Sequence, residues 1–178
     1  MTTEKLCRWG ILGAAGIARK NWDSIRHAEN ATLVAVASRS KPRAEEYIRE
    51  CQLVAPHPQI PEACTYEELL ARKDIDAVYI PLPTGIRKEW VIKAANAGKH
   101  ILCEKPCAPT VAELEEMLAA CRKNKVQFMD GVMFMHSDRL PLMRRALDES
   151  GKVGPIKRIV SHFSFLAPPD FMASNIRA

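Results

Sequence analysis

Apolar residues in this chain fall into short runs separated by longer amphipathic stretches. Residues 6–12, 31–38, 77–80 and 100–103 are apolar almost throughout. Short runs without alternation suit parallel strands covered on both faces. Between them, helical spacing predicts helices over 17–27, 43–51, 88–97 and 111–124. Punctuation supports this frame. Pro42 falls where a first helical turn tolerates proline. Thr65 with Glu68, and Thr110 with Glu113, have the spacing of a capping box, so helices are expected to open there. The helix after Thr65 is expected to end near Arg72 and Lys73. Gly98 is placed to end a helix. Pro56, Pro58 and Pro61 exclude a long helix over 53–63, where only a short strand near Ala63 and Cys64 is expected.

The pattern changes after about Phe134. A strand is predicted over 127–134, a helix over 137–149, a turn over 151–155 and a strand over 156–165. Lys157, Ser161 and Ser164 give that last strand an alternating, one-face-wet character, which belongs to antiparallel sheets. Met129, Met133 and Met135 have strand spacing and are expected to pack. His136 is expected to be structural. Strand–helix alternation repeated six times implies an α/β fold with a doubly wound parallel sheet and right-handed crossovers over residues 1–134. Residues 135–178 would begin a second α/β domain. A single alternating strand makes no sheet, so the chain is expected to be cut short or to pair that strand elsewhere.

Composition narrows the partners. The chain has 178 residues, 47% of them hydrophobic, and a net charge of +5 from 26 basic and 21 acidic residues. No run of like charge stands out, and clustered Lys/Arg with interleaved aromatics is missing, which sets nucleic acid aside. No stretch approaches the roughly 18 apolar residues of a membrane helix. Met1–Lys5 lacks the pattern of a signal peptide. The six cysteines make no C-x-x-C pair and no zinc spacing, so reduced thiols in a cytoplasmic protein are expected. Cys103 and Cys107 read as packing residues, with a redox or nucleophilic role as the alternative.

In such a sheet, ligands bind beyond the carboxyl ends of the strands. Trp9-Gly10-Ile11-Leu12-Gly13-Ala14-Ala15-Gly16-Ile17-Ala18 runs from strand through small residues into a helix. Small residues let a backbone approach a phosphate, and the helix start offers free N–H groups and a favourable dipole. The usual fingerprint is G-x-G-x-x-G or G-x-G-x-x-A. Gly13 is its first glycine, with Ala15 and Ala18 in the other two places and Gly16 between them. After the second strand, Ser38 and Arg39 stand where NAD sites carry an acid for the ribose 2′-hydroxyl. Arg39 suits a 2′-phosphate, which favours NADP over NAD. Pro81-Leu82-Pro83-Thr84 ends a buried strand; it is either a simple terminator or a wall beside a cofactor. Glu104-Lys105-Pro106 follows another strand. Lys105 is either half of a surface ion pair or an acid–base group facing a substrate oxygen.

Together these stretches, with Phe128-Met129-Asp130-Gly131 and Gly151-Lys152-Val153-Gly154-Pro155, are similar to the Gfo/Idh/MocA oxidoreductases, the glucose–fructose oxidoreductase and inositol dehydrogenase family. The chain most resembles the branch of NADP-dependent D-xylose dehydrogenases and dihydrodiol dehydrogenases. The likeness covers nearly the whole chain. It implies an N-terminal Rossmann domain joined to a C-terminal α/β domain whose open sheet often forms homodimers. It implies that Lys105 lies near nicotinamide and substrate and assists catalysis. It also implies that Gly13, Ala14, Ala15, Gly16 and Ile17 hold the pyrophosphate, that Ser38 and Arg39 hold the 2′-phosphate, and that Pro81 to Thr84 and Glu104 line the cofactor. The expected reaction is hydride transfer between NADP and a CH–OH group of a sugar or diol, with no metal. The alternative is a non-catalytic NADP-binding module. The family often has histidine where this chain has Arg87, which bears on the substrate side. A second acid–base residue and most of the substrate pocket are implied to lie past Ala178.

Overall fold

A computed structural model of the chain describes residues 6–148 and 154–166. The chain divides into two compact units, Met1–Met133 and Phe134–Ala178. The first holds six strands: β1 (Cys7–Leu12), β2 (Ala31–Ala37), β3 (Glu62–Cys64), β4 (Ala77–Ile80), β5 (His100–Cys103) and β6 (Phe128–Asp130). Five helices join them: α1 (Ala18–His27), α2 (Lys41–Val54), α3 (Tyr66–Ala71), α4 (Thr84–Asn96) and α5 (Val111–Lys123). All pairings are parallel, and the strand order is 3-2-1-4-5-6. That is the doubly wound dinucleotide-binding order, with its switch point between β1 and β4.

The apolar runs explain why both faces are covered. Successive residues of a strand point to opposite faces. Ile11, Val36 and Tyr79 pack on one face against Trp22 and Ile25 of α1 and Tyr47 and Ile48 of α2. Their neighbours Leu12, Ala37, Val78 and Ile80 pack on the other with Leu69 of α3, Trp90 and Val91 of α4, and Met117 of α5. Cys51, Cys64, Cys103 and Cys121 are buried in these two layers, and all six cysteines are free thiols. The Thr65–Glu68 capping box forms in both directions: the Thr65 hydroxyl accepts from the Glu68 amide at 3.3 Å, and the Thr65 amide donates to Glu68 Oε2 at 2.9 Å. At Thr110 only the first of these bonds is made, from the Glu113 amide at 3.3 Å.

Several expectations are corrected. Helix α4 begins at Thr84 rather than near residue 88, because Pro83 is its extended N-terminal cap and the Ile86 amide already turns back onto the Pro83 carbonyl at 3.1 Å. β6 stops at Asp130 rather than 134. The Gly131 amide makes a last bond to the Cys103 carbonyl at 2.7 Å, and Asp130 Oδ1 accepts from the Val132 amide at 3.0 Å, which turns the chain. Met133–His136 then forms a 3-10 turn, and Met129, Met133 and Met135 are exposed rather than packed, as is His136. Residues 156–165 form no strand, and all are exposed. A strand exists through its pairing, and residues 156–165 pair with no strand among the described residues.

The second unit, taken by itself, contains α6 (Arg139–Asp148), which leaves Leu142, Met143 and Leu147 exposed. The turn expected at 151–155 and the last residue of the helix expected over 137–149 fall wholly or partly outside the described residues. No described helix is long and apolar enough to cross a membrane.

Candidate functional site

The carboxyl ends of β1, β2 and β4 converge on one cavity. Its volume is about 260 Å³, and it is lined by Gly13, Ala14, Ala15, Ser38, Arg39, Arg43, Tyr66, Pro81, Leu82, Pro83 and Ile86. The Gly13 amide leaves β1 by donating to the Ala37 carbonyl at 3.0 Å. Gly13 then takes φ +137°, a conformation that side-chain-bearing residues rarely adopt. A Cβ there would lie 3.0 Å from Leu82 Cδ2 and 3.4 Å from Pro81 Cγ. The glycine therefore lets the turn after β1 lie directly against the Pro81–Leu82 wall after β4, across the switch point. The amides of Ala15, Ala18, Arg19 and Lys20 close the turn onto carbonyls of Gly13, Ala15, Gly16 and Ile17. Those of Ala14, Gly16 and Ile17 take no part in these bonds. A Cβ on Gly16 would meet nothing within 4 Å, so this side of the turn is open.

The basic end of the cavity comes from the start of α2. Ser38 is buried, and its amide donates to the Cys64 carbonyl at 3.1 Å. Arg39 and Arg43 are exposed, and Arg43 pairs with Glu46 at 2.6 Å. Arg43 and Tyr66 were not among the residues expected from sequence. Arg43 lies in the first turn of α2, just past Ser38 and Arg39, and that closeness in sequence is the signal that points to it. Small residues in the middle, a guanidinium pair at one end and an apolar wall opposite fit the pyrophosphate and the phosphorylated adenosine end of NADP.

Gly16, Ile17, Thr84, Glu104 and Lys105 do not line this cavity. Gly16 and Ile17 are exposed at the start of α1, and Thr84 opens α4. Glu104 and Lys105 follow β5. Glu104 is buried, its amide donates to the Ile80 carbonyl at 3.2 Å, and both carboxylate oxygens are engaged. The Tyr79 hydroxyl donates to Oε1 at 3.1 Å, and the Lys105 amide donates to Oε2 at 2.8 Å. Burial, and then the Glu104 carboxylate, push the Tyr79 phenol well above its ordinary range, so it stays a donor. Glu104 thus holds the backbone of Lys105 and makes no ion pair with its side chain. The Lys105 side chain is exposed and enters no ion pair among the described residues. Glu104 and Lys105 thus form no side-chain ion pair with each other among the described residues. A peptide in the cis form joins Lys105 to Pro106.

Gly131 brings β6 close beneath this turn: a Cβ there would lie 3.3 Å from both the Cys103 carbonyl oxygen and Glu104 Cα. The hydrogen bond shared with Cys107, together with burial, pushes the Cys103 thiol upward, which suits packing rather than nucleophilic attack. Arg87, which stands where the family often has histidine, is turned into the protein. It is 6% exposed and donates to the carbonyls of Leu82 at 2.5 Å, Glu104 at 2.7 Å and Pro106.

Residues 7–132 match the model of the GFO_IDH_MocA oxidoreductase family, with its NAD-binding Rossmann fold. The chain belongs to this family. A dTDP-3,4-didehydro-2,6-dideoxy-alpha-D-glucose 3-reductase of Saccharopolyspora spinosa is 34% identical over 94% of the chain and 48% of its own length. An NADP(+) D-xylose 1-dehydrogenase of Haloferax volcanii is 37% identical over 90% of the chain and 47% of its own length. Among solved structures, a 3-ketoreductase from Actinomadura kijaniata in complex with TDP-benzene and NADP superposes with a TM-score of 0.73. It is 31% identical and covers 82% of this chain and 44% of its own. The chain thus spans about half the length of the relatives it matches.

Proposed function

We propose that the chain is the cofactor-binding part of an NADP-dependent oxidoreductase acting on the CH–OH group of a sugar or related diol, or on the corresponding carbonyl. The observation that carries this reading is the placement of Lys105. An unpaired, exposed ammonium stands on a turn fixed by buried Glu104, at the same sheet edge as a cradle with two guanidiniums. In this reading, the turn from Gly13 through Ala14, Ala15 and Gly16 to Ile17 holds the pyrophosphate. Ser38 and Arg39, joined by Arg43, hold the 2′-phosphate, which selects NADP over NAD. Pro81, Leu82, Pro83 and Thr84 line the ribose and nicotinamide side, and Glu104 supports it from behind. When bound, the nicotinamide supplies the hydride chemistry. Lys105 donates a hydrogen bond or proton to the substrate oxygen and so helps to move charge during the step.

The relatives named above act on sugars and sugar nucleotides and support that substrate class. Residues 135–178 are proposed to open a substrate and dimerisation domain, with a homodimer as the assembly. Six free thiols support a cytoplasmic site. The test is Lys105→Met in a protein of the relatives' full length. Turnover should fall by about 10²–10⁴-fold, the usual contribution of a positioned acid–base group, while NADPH binding is unchanged. Turnover that survives largely intact would remove Lys105 from the chemistry. A second reading, an NADP-binding module without turnover, draws on the chain's span of about half its relatives. Cofactor reduction by this 178-residue chain with D-xylose and other aldoses would end it.

A further inference from the structure

The most constrained charged side chain in the molecule is Arg87, and the proposed chemistry gives it no task. It sits one turn into α4, is 6% exposed, and has no carboxylate partner among the described ion pairs. Its guanidinium donates instead to three main-chain carbonyls from two loops. The Leu82 carbonyl belongs to the wall after β4. The carbonyls of Glu104 and Pro106 belong to the turn after β5, and they flank Lys105 on either side.

We propose that Arg87 is a positioning residue: its guanidinium ties the wall after β4 to the turn after β5 and so fixes where Lys105 stands. The geometry needs arginine in particular. A guanidinium presents five N–H donors in a rigid planar fork, enough for three carbonyls approaching from different directions. A neutral imidazole has a single N–H, and an ammonium has no fixed fork. The Glu104 carboxylate holds the Lys105 amide from one side. Arg87 holds the carbonyls before and after Lys105 from the other, so the backbone of Lys105 is held while its side chain stays free. Removing the fork takes the guanidinium donor from three carbonyls, leaving that of Glu104 only the weak Cys103 thiol, a cost borne by both loops together.

The inference rests on Lys105 being the acting group, and its test does not depend on turnover. Lysines of the 178-residue chain are reductively methylated with ¹³C-formaldehyde, and the Lys105 signal is assigned by its loss in Lys105→Arg. In Arg87→Met the Lys105 signal should shift or broaden while the other lysine signals hold. Amide exchange over residues 81–84 and 104–108 should accelerate together by about tenfold, with the Gly13–Ile17 segment changing by less than about twofold. Arg87→Lys should give an intermediate shift, and it is the variant read if Arg87→Met does not fold. A lower melting temperature with the Lys105 signal and both exchange segments unchanged would make Arg87 a space-filling residue only and overturn the proposal. So would an Arg87→Lys protein indistinguishable from the wild type. If these shifts appear but Lys105→Met keeps its turnover, the clamp stands and the catalytic reading falls.

Discussion

Gly13→Ala is the sharpest probe of how the cradle is built. Two costs add at that position. Gly13 has φ +137°, and holding a residue with a side chain in such a region costs about 1–3 kcal/mol. The new methyl would also stand 3.0 Å from Cδ2 of buried Leu82, which would have to shift. Comfortable carbon contacts lie near 3.5–4.0 Å, and overpacking of this kind costs about 1–3 kcal/mol. The sum, roughly 2–6 kcal/mol, is a large part of the 5–15 kcal/mol that holds a typical domain together. With a urea slope of about 2 kcal/mol/M, the midpoint should fall by roughly 1–3 M. NADPH affinity should fall by at least about tenfold, because relief of the clash pushes the turn and the Pro81–Leu82 wall apart. Gly16→Ala is the control: its Cβ enters open space, so stability should hold while affinity falls if the phosphates pass there. A Gly13→Ala protein with an unchanged urea midpoint and unchanged NADPH affinity would refute the claim that this close approach shapes the site.

Two further predictions concern stability. His57 is buried, its ring nitrogen Nε2 lies 3.0 Å from the Trp22 carbonyl, and its ring stands edge-on to Trp22 at 4.8 Å. Burial lowers its pKa below the ordinary histidine value, so the unfolded chain binds the proton more readily. This contribution to stability is intact above about pH 6.5 and is lost as pH falls through and below it; urea midpoints should drop between pH 7.5 and 5.5, and less so in His57→Gln. Thr65→Ala removes one half of the α3 capping box and should cost about 1 kcal/mol by urea unfolding, with a similar loss for Thr110→Ala, which removes the equivalent bond.

Much of this arrangement is legible in the residues. Unbroken apolar runs predict the strands, and Gly98, Pro42 and the Thr65–Glu68 spacing predict where helices begin and end. The alternation predicts a doubly wound parallel sheet; the strand order comes from the pairings. What the spacing does not show is which side chain reaches which loop. Tyr79 reads as one more apolar strand residue in Ala-Val-Tyr-Ile, yet its hydroxyl holds Glu104. Arg87 reads only as a replacement for a family histidine on the substrate side, yet it turns inward onto three carbonyls. Both depend on the parallel pairing of β4 with β5, which brings residues far apart in sequence to one edge. The methionine series at 129, 133 and 135 misleads for the opposite reason. Its strand period is real, but the Gly131 amide ends the ladder before the pattern does.

In the proposed function, the cradle beyond β1 and β2 selects a phosphorylated ribose through Arg39. The direct measurement is the dissociation constant of NADPH and of NADH for the wild type and for Arg39→Asp. A charge-assisted bond to phosphate is worth about 1.5–3 kcal/mol, or about 10–150-fold in affinity, with exposed Arg39 placed toward the lower end before the added repulsion of the new carboxylate. The account predicts that NADPH binding weakens by at least about 30-fold while NADH binding stays within about threefold, and that the difference shrinks as salt is raised. Equal losses for the two nucleotides, or no loss for either, would contradict it.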